Sequence, residues 1–264
     1  MSEISFQPFL EVRKIKRKYG NVEALRGVDL KAYTGEVLAI VGDNGAGKST
    51  LIKILSGAIA PDSGEIIIAG KKYHKLKPKS ALEAGITTVY QDLALVNTLD
   101  TSDNIFLGRE YLKNIFCLDE KKMHQEAQEL LEKLGIQVPF LHTAVGYLSG
   151  GQRQGVAVAR AVHQGGKLLI LDEPTAAMGV KETVAVLKLI KSLAKKGFGI
   201  IVISHNMEQV FQVSDRICVM RQGEVVGSVK TDEADPQDVV AMITGAIKIE
   251  DASNYRSNKN ELTS

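Results

Sequence analysis

The stretch Val41-Gly42-Asp43-Asn44-Gly45-Ala46-Gly47-Lys48-Ser49-Thr50 fits G-x-x-x-x-G-K-S, and no other feature of the chain limits its fold so tightly. The run Val37-Leu38-Ala39-Ile40-Val41 before it reads as a buried strand. After it, Leu51, Ile52, Ile54 and Leu55 supply the apolar face of a helix that Gly57 closes. A glycine-rich turn between a strand and a helix is the setting in which this motif grips phosphate. Gly42, Gly45 and Gly47 can take dihedrals that a side chain forbids, so the N–H groups of the loop, including those of Asn44 and Ala46, can converge on phosphate oxygens.

The helix N-terminus adds partial positive charge to that cradle. Lys48 is expected to reach the β- and γ-phosphates, Ser49 to offer its hydroxyl to Mg²⁺, and Thr50 to place a second hydroxyl near the α-phosphate.

With 264 residues, 44% of them hydrophobic and 24% charged, the chain has room for one sizeable α/β domain carrying a smaller insert. Its formal net charge of +2 gives no reason to expect nucleic-acid binding. The local cluster Arg13-Lys14-Ile15-Lys16-Arg17-Lys18 is expected to be a solvated edge strand. Cys117 and Cys218 form no framework of disulfides and point to a reducing compartment. The residues after Met1 lack a signal-peptide layout, and aliphatic runs such as Ile200-Ile201-Val202-Ile203 are far shorter than the roughly 20 residues of a membrane span.

Along the chain, turns at Tyr19-Gly20-Asn21 and Thr34-Gly35 divide an N-terminal antiparallel β portion. Strands are expected at Glu65–Gly70, after the turn Pro61-Asp62-Ser63-Gly64, and at Gly85–Tyr90. From about 92 to 150 the pattern becomes helical: Met123, Ala127, Leu130, Leu131 and Leu134 share one face, and Gly135 ends it. A helix over Val156–Val162, a strand over Leu168–Leu171, a helix over Val184–Leu193 and a strand over Ile200–Ile203 then alternate. The fold class expected is α/β, a phosphate-loop NTPase core with a mostly parallel sheet and a helical insert, and ligands gather at the C-terminal strand ends. The domain is expected to cover 9–245, with a polar tail over 246–264.

Leu168-Leu169-Ile170-Leu171-Asp172-Glu173 carries two carboxylates to such a strand end. Asp172 suits the Mg²⁺ shell, and Glu173 suits a general base or water-orienting group. Leu148-Ser149-Gly150-Gly151-Gln152 opens a helix with a serine and two glycines, which makes a second anion-binding N-terminus in one chain. Through that stretch the chain resembles the ATP-binding subunit of an ABC transporter, whose signature motif is Leu-Ser-Gly-Gly-Gln. The likeness spans about Phe9 to Gly245.

In that family the signature of one subunit closes over the γ-phosphate held by the phosphate loop of the other, so two ATP molecules are sandwiched in a two-fold pair. The resemblance therefore implies that Ser149, Gly150, Gly151 and Gln152 meet the nucleotide of a partner subunit. By the same likeness Tyr19 matches the aromatic that stacks on adenine, Gln91 matches the glutamine that senses Mg²⁺ and the membrane partner, and His205 matches the switch histidine at the γ-phosphate. The remaining histidines, His74, His124, His142 and His163, fit no metal-ligand spacing and read as surface or structural, while Asp103-Asn104 and Asp232-Glu233 read as solvated.

One departure stands out. After Glu173-Pro174-Thr175 many members continue Ser-Ala-Leu-Asp, where this chain has Ala176-Ala177-Met178-Gly179. The stretches Thr175–Val180 and Asp103–Glu110 resemble the carbohydrate-importer branch. That likeness implies a cytoplasmic ATPase lying peripherally on the inner membrane. It is expected to use ATP and Mg²⁺ and to work as a homodimer with a permease and, indirectly, an extracytoplasmic sugar-binding protein to import a monosaccharide. The alternative is a soluble ATPase of the same family serving repair, translation or assembly. Against it, the chain has no room for the long coiled coil of the repair ATPases and lacks the second fused domain of the translation factors.

Overall fold

The computed structural model describes residues 7–114, 117–139 and 141–246, so all but the first residue of the polar tail expected over 246–264 lies outside the described residues. β1 (Leu10–Tyr19) and β2 (Val22–Ala32) form a hairpin turning at Gly20-Asn21. β3 (Val37–Val41) then delivers the glycine-rich loop to α1 (Lys48–Leu55). With β4 (Ser63–Ile68) and β5 (Lys71–Tyr73) the hairpin builds an antiparallel sheet of order β2-β1-β4-β5. The edge-strand expectation for Arg13–Lys18 is corrected here, because β1 is an interior strand paired on both sides. Ile15 is buried beneath the sheet while Lys14, Lys16 and Lys18 are exposed, so these cations solvate a face and guard no edge.

Further along lie α2 (Pro78–Glu83), β6 (Ile86–Val89), α3 (Thr101–Phe106), the short pair β7 (Leu112–Asn114) and β8 (Cys117–Leu118), and α4 (Glu120–Leu134). α5 (Gly150–His163) leads into β9 (Leu168–Asp172), α6 (Val180–Lys195) and β10 (Gly199–Ile203). α7 (Met207–Val213), β11 (Arg216–Arg221), β12 (Glu224–Lys230) and α8 (Pro236–Thr244) complete the described chain. The second sheet has the order β12-β11-β3-β10-β9-β6; every pairing in it is parallel except that of β11 with β12.

The uninterrupted apolar runs of β3, β9 and β10 follow from burial on both faces. Leu38, Ile40, Leu168, Ile170, Ile201 and Ile203 pack with α1 and the antiparallel sheet. The alternate residues Leu169, Leu171, Ile200 and Val202 pack against α3, α4, α5 and α6, and Ala39 and Val41 against α7 and α8. Each fully buried aliphatic side chain contributes about 1.5–3 kcal/mol. Three cores thus clamp the central strands and fix their C-terminal ends in space.

The helical segment differs in detail from its sequence pattern. Leu130 is only partly buried, whereas Met123, Ala127, Leu131 and Leu134 are buried as expected. Asn104 is not solvated: it is fully buried, its Oδ1 accepts from the Val96 N–H at 2.8 Å, and its Nδ2 donates to the carbonyls of Val96 and Asp100 at 3.1 and 2.8 Å. An amide with both a donor and an acceptor end can pin a loop in a way a carboxylate cannot.

Candidate active site

Parallel register assembles the site. Ile203 of β10 lies beside Ile40 of β3 and Asp172 of β9, while Val89 of β6 lies beside Leu171. Gly42, Gln91, Glu173 and His205 each follow their strand by one or two residues, so residues distant in sequence emerge along one edge.

Two close approaches shape the phosphate loop. A Cβ on Gly42, at φ +150, would collide with the Met220 carbonyl, and one on Gly47, at φ +102, would sit 2.7 Å from the Ala24 carbonyl oxygen and 2.8 Å from Leu25. Glycine alone fits at both places. No side chain caps α1 and its first turn holds no acid, so the amides there present unopposed positive potential. The Lys48 Nζ donates to the carbonyls of Gly42 at 2.5 Å and Asp43 at 3.0 Å. Burial pushes its pKa down, against the pull of Glu173, Asp43 and Asp172. Burial and the neighbouring Glu173 push Asp172 up, and Lys48 offsets part of that shift. Two carboxylates share one lysine, a donor set short of positive charge, which fits Asp172 and Ser49 as holders of a divalent cation.

Glu173 adopts φ +49, a left-handed conformation that costs a non-glycine residue about 1–3 kcal/mol. Its N–H donates to the Ile203 carbonyl at 3.0 Å and its Oε1 lies 2.9 Å from His205 Nδ1. The Glu173 side chain is 19% exposed and that of His205 79%, so the histidine covers the carboxylate from the solvent side. Gln91 and Glu173 line one cleft of about 280 Å³ with Gly150, Arg153 and Met178. Tyr19, 44% exposed, ends β1 in the hairpin whose Ala24 and Leu25 abut Gly47, and the Arg17 guanidinium lies 5.0 Å from its ring.

The signature stretch is built differently. Ser149 caps α5 with its Oγ accepting from Gln152 N–H at 3.3 Å, and Gln152 Oε1 accepts from Ser149 N–H at 2.9 Å, a reciprocal capping box. The Gly150 N–H donates to Glu182 Oε1 at 3.1 Å, and the Gly179 N–H to Glu182 Oε2 at 3.2 Å. Ser149, Gly151 and Gln152 face a hollow shared with Lys181, Glu182 and Leu189, which the phosphate loop does not line. The structure therefore gathers Lys48, Asp172, Glu173 and His205 into one group and leaves Ser149, Gly151 and Gln152 in another, with Gly150 alone reaching the cleft of Gln91 and Glu173.

Three contributors escape sequence reading. Glu182 lies 32 residues from the amide it caps. Arg160 donates to the carbonyls of Leu93 and Ala94 at 2.5 and 2.8 Å and so holds the segment after Gln91. Asn104 pins the far side of the same segment. A polar residue on a helix carries no sign of such nonlocal partners, and Asn104 follows Thr101, Ser102 and Asp103, so nothing in its own helix marks it out.

Comparison with known proteins agrees with this geometry. The ABC transporter family profile matches residues 25–176. The chain is 46% identical to a xylose/arabinose import ATP-binding protein of Sulfolobus acidocaldarius, over 89% of this chain and 93% of that one. It is 47% identical to a fructose import ATP-binding protein of Rhizobium meliloti, over 91% and 95%. A ribose import ATP-binding protein of Escherichia coli O157:H7 is 44% identical over 90% of this chain, which spans about half of that longer protein. Among solved structures, an ATP-binding cassette of an ABC transporter in its ADP conformation superposes with a TM-score of 0.76 at 25% identity, covering 90% of this chain and 95% of that one. A dimeric cassette bound to ADP and Pi superposes at 0.68 with 27% identity, over 84% and 98%. The chain belongs to the ABC transporter family, as its ATP-binding and ATP-hydrolysing subunit.

Proposed function

We infer that the protein powers the import of a monosaccharide, of the xylose, fructose or ribose kind, by pairing with a second copy of itself beneath a membrane permease that an extracytoplasmic sugar-binding protein supplies. The observation that carries this reading is the nearly end-to-end likeness to two sugar-import ATP-binding proteins. Among the described residues no helix is long and apolar enough to cross a membrane, which suits a peripheral subunit acting through a partner. We take 9–245 as the working unit, with its helical segment over about 92–150.

In this reading the loop amides of Asn44, Gly45, Ala46 and Gly47 and the ammonium of Lys48 hold the β- and γ-phosphates, Thr50 lies near the α-phosphate, and Tyr19 stacks on the base. Ser49, Asp172 and Gln91 hold Mg²⁺, which when bound neutralises phosphate charge. Glu173 takes a proton from the attacking water, or orients it, and His205 holds that carboxylate while contacting the γ-phosphate. Lys48 exchanges the carbonyls of Gly42 and Asp43 for phosphate oxygens. Ser149, Gly150, Gly151 and Gln152 reach the nucleotide of the second copy only when the two copies face each other, so ATP binds the closed pair better than the open one. That difference in affinity is what lets binding do mechanical work. Hydrolysis removes the bridging phosphate, and the pair reopens.

Pull-down of the chain from detergent-solubilised membranes tests the reading. Co-recovery of a multi-span permease and a sugar-binding protein supports it. Recovery of ribosomes or DNA without a permease overturns it in favour of an ATPase that has no transporter partner.

A further inference from the structure

Three side chains from separate stretches of the chain converge away from the nucleotide residues: Asp100, the N-cap of α3; His124, on α4; and His142, on the segment leading to Ser149. One ligand atom from each lies within 4.8 Å of the other two. The scaffold beneath them is tied by backbone bonds. Thr101 N–H donates to the Leu141 carbonyl at 3.2 Å, Val145 N–H to the Leu99 carbonyl at 2.9 Å, and Asp100 pairs with Ala144 in an isolated bridge.

The hydrogen bonds fix what the cluster lacks. His124 Nδ1 lies 2.7 Å from the Glu120 carbonyl oxygen, and a carbonyl can only accept, so Nδ1 carries a proton. In the neutral ring the Nε2 lone pair then points at Asp100 Oδ2, 3.0 Å away. Asp100 Oδ1 is already engaged, accepting from the Asp103 N–H at 2.9 Å, which leaves Oδ2 for this contact. Two acceptors facing each other at that distance repel unless something positive lies between them. The Asp100 and His124 side chains are 17% and 19% exposed, so water screens the pair poorly. The Asp103 carboxylate deepens the negative potential there.

The His142 ring lies beside that of His124, with centroids 4.2 Å apart. Two imidazoles bound tetrahedrally to one first-row cation at about 2.1 Å place their centroids roughly 5 Å apart, so binding moves the two rings apart by roughly 1 Å, a motion open to the exposed His142. A ring N–H bonded to a backbone carbonyl is also the usual way in which a protein orients a metal-binding histidine. His142 is exposed, which opens a path for entry.

We propose that Asp100, His124 and His142 form a binding site for one borderline divalent cation of the Zn²⁺ class, separate from the Mg²⁺ expected at the nucleotide. Two imidazole nitrogens and one carboxylate oxygen favour Zn²⁺, Ni²⁺ or Cu²⁺ over the hard cations Mg²⁺ and Ca²⁺. A cation there staples α3, α4 and the approach to Ser149 to one another.

The test is a Zn²⁺ titration of the full chain, prepared without a polyhistidine tag and stripped with chelator, against a chromophoric zinc indicator in excess Mg²⁺. The expected result is one equivalent bound, with affinity lowered at least about tenfold in His142→Ala and in His124→Gln and unchanged in Cys117→Ser, which removes the exposed thiol. His142 is exposed, so its replacement leaves the fold intact and keeps the test decisive. Parallel titration with Co²⁺ is expected to give ligand-field absorption that His142→Ala abolishes. No stoichiometric uptake overturns the proposal and assigns a proton to the gap between His124 and Asp100. Uptake that both histidine variants retain overturns it as well.

Discussion

The two helix N-termini that the proposed function directs at phosphate are of opposite design. At α1 the amides have no side-chain cap and no nearby acid in the first turn, and glycine at 42 and 47 is enforced by backbone packed against it. At α5 the amides are already occupied: Ser149 and Gln152 cap each other, and Glu182 holds Gly150. The first is a cradle complete within one chain. The second is closed on its own carboxylate, and in the proposed reading an incoming phosphate displaces it. In the proposed reading, affinity for nucleotide therefore belongs to α1, and the conditional part of the interaction belongs to α5.

The largest expected effect probes the open end. Glu173→Gln keeps the left-handed backbone and the contact with His205 but removes the basic oxygen, so turnover is expected to fall by about 10²–10⁴-fold with ATP binding retained. ATPase rate and ATP-dependent pairing measured on the same preparation check this, and hydrolysis at the parental rate removes Glu173 from the role. Lys48→Ala comes next. Losing charge-assisted bonds of about 1.5–3 kcal/mol is expected to weaken ATP binding roughly ten- to a hundredfold, read by titration with a fluorescent analogue. Undiminished binding would mean that the loop amides suffice alone.

The smallest effect sharpens the contrast most. Glu182→Ala frees the Gly150 amide, and in the Glu173→Gln background the ATP concentration for half-maximal pairing is expected to drop about twofold to tenfold, the worth of one net hydrogen bond. The same change removes a helix-capping contact of about 0.5–2 kcal/mol, seen as a melting temperature lower by a few degrees. Lower stability with unaltered pairing would make Glu182 a cap and nothing more.

Much of this architecture is legible from residue order alone. The phosphate loop and the strands of the parallel sheet are local patterns: glycine spacing in one case, apolar residues on both faces in the other. The stripe on α4 reads correctly but for Leu130, because periodicity marks a face and not where its border falls. The failures are nonlocal. Nothing within Arg13–Lys18 discloses that β4, some fifty residues on, covers its second edge. Asn104 looks like a surface amide until the carbonyls it serves are in place, and His124 and His142 fit no ligand spacing because α4 and the loop after it bring them to Asp100 only in three dimensions.

α5 joins the two ends in a second way. Ser149 begins it, and eleven positions later, about 16 Å along the axis at 1.5 Å per residue, Arg160 grips the carbonyls of Leu93 and Ala94, just past Gln91. A helix of this length is stiff. If the proposed function holds, whatever pulls on the segment after Gln91 rocks Ser149 as the far tip of a lever, so a shift of an ångström or so beside one triphosphate re-aims the groups meant for another without any unfolding in between.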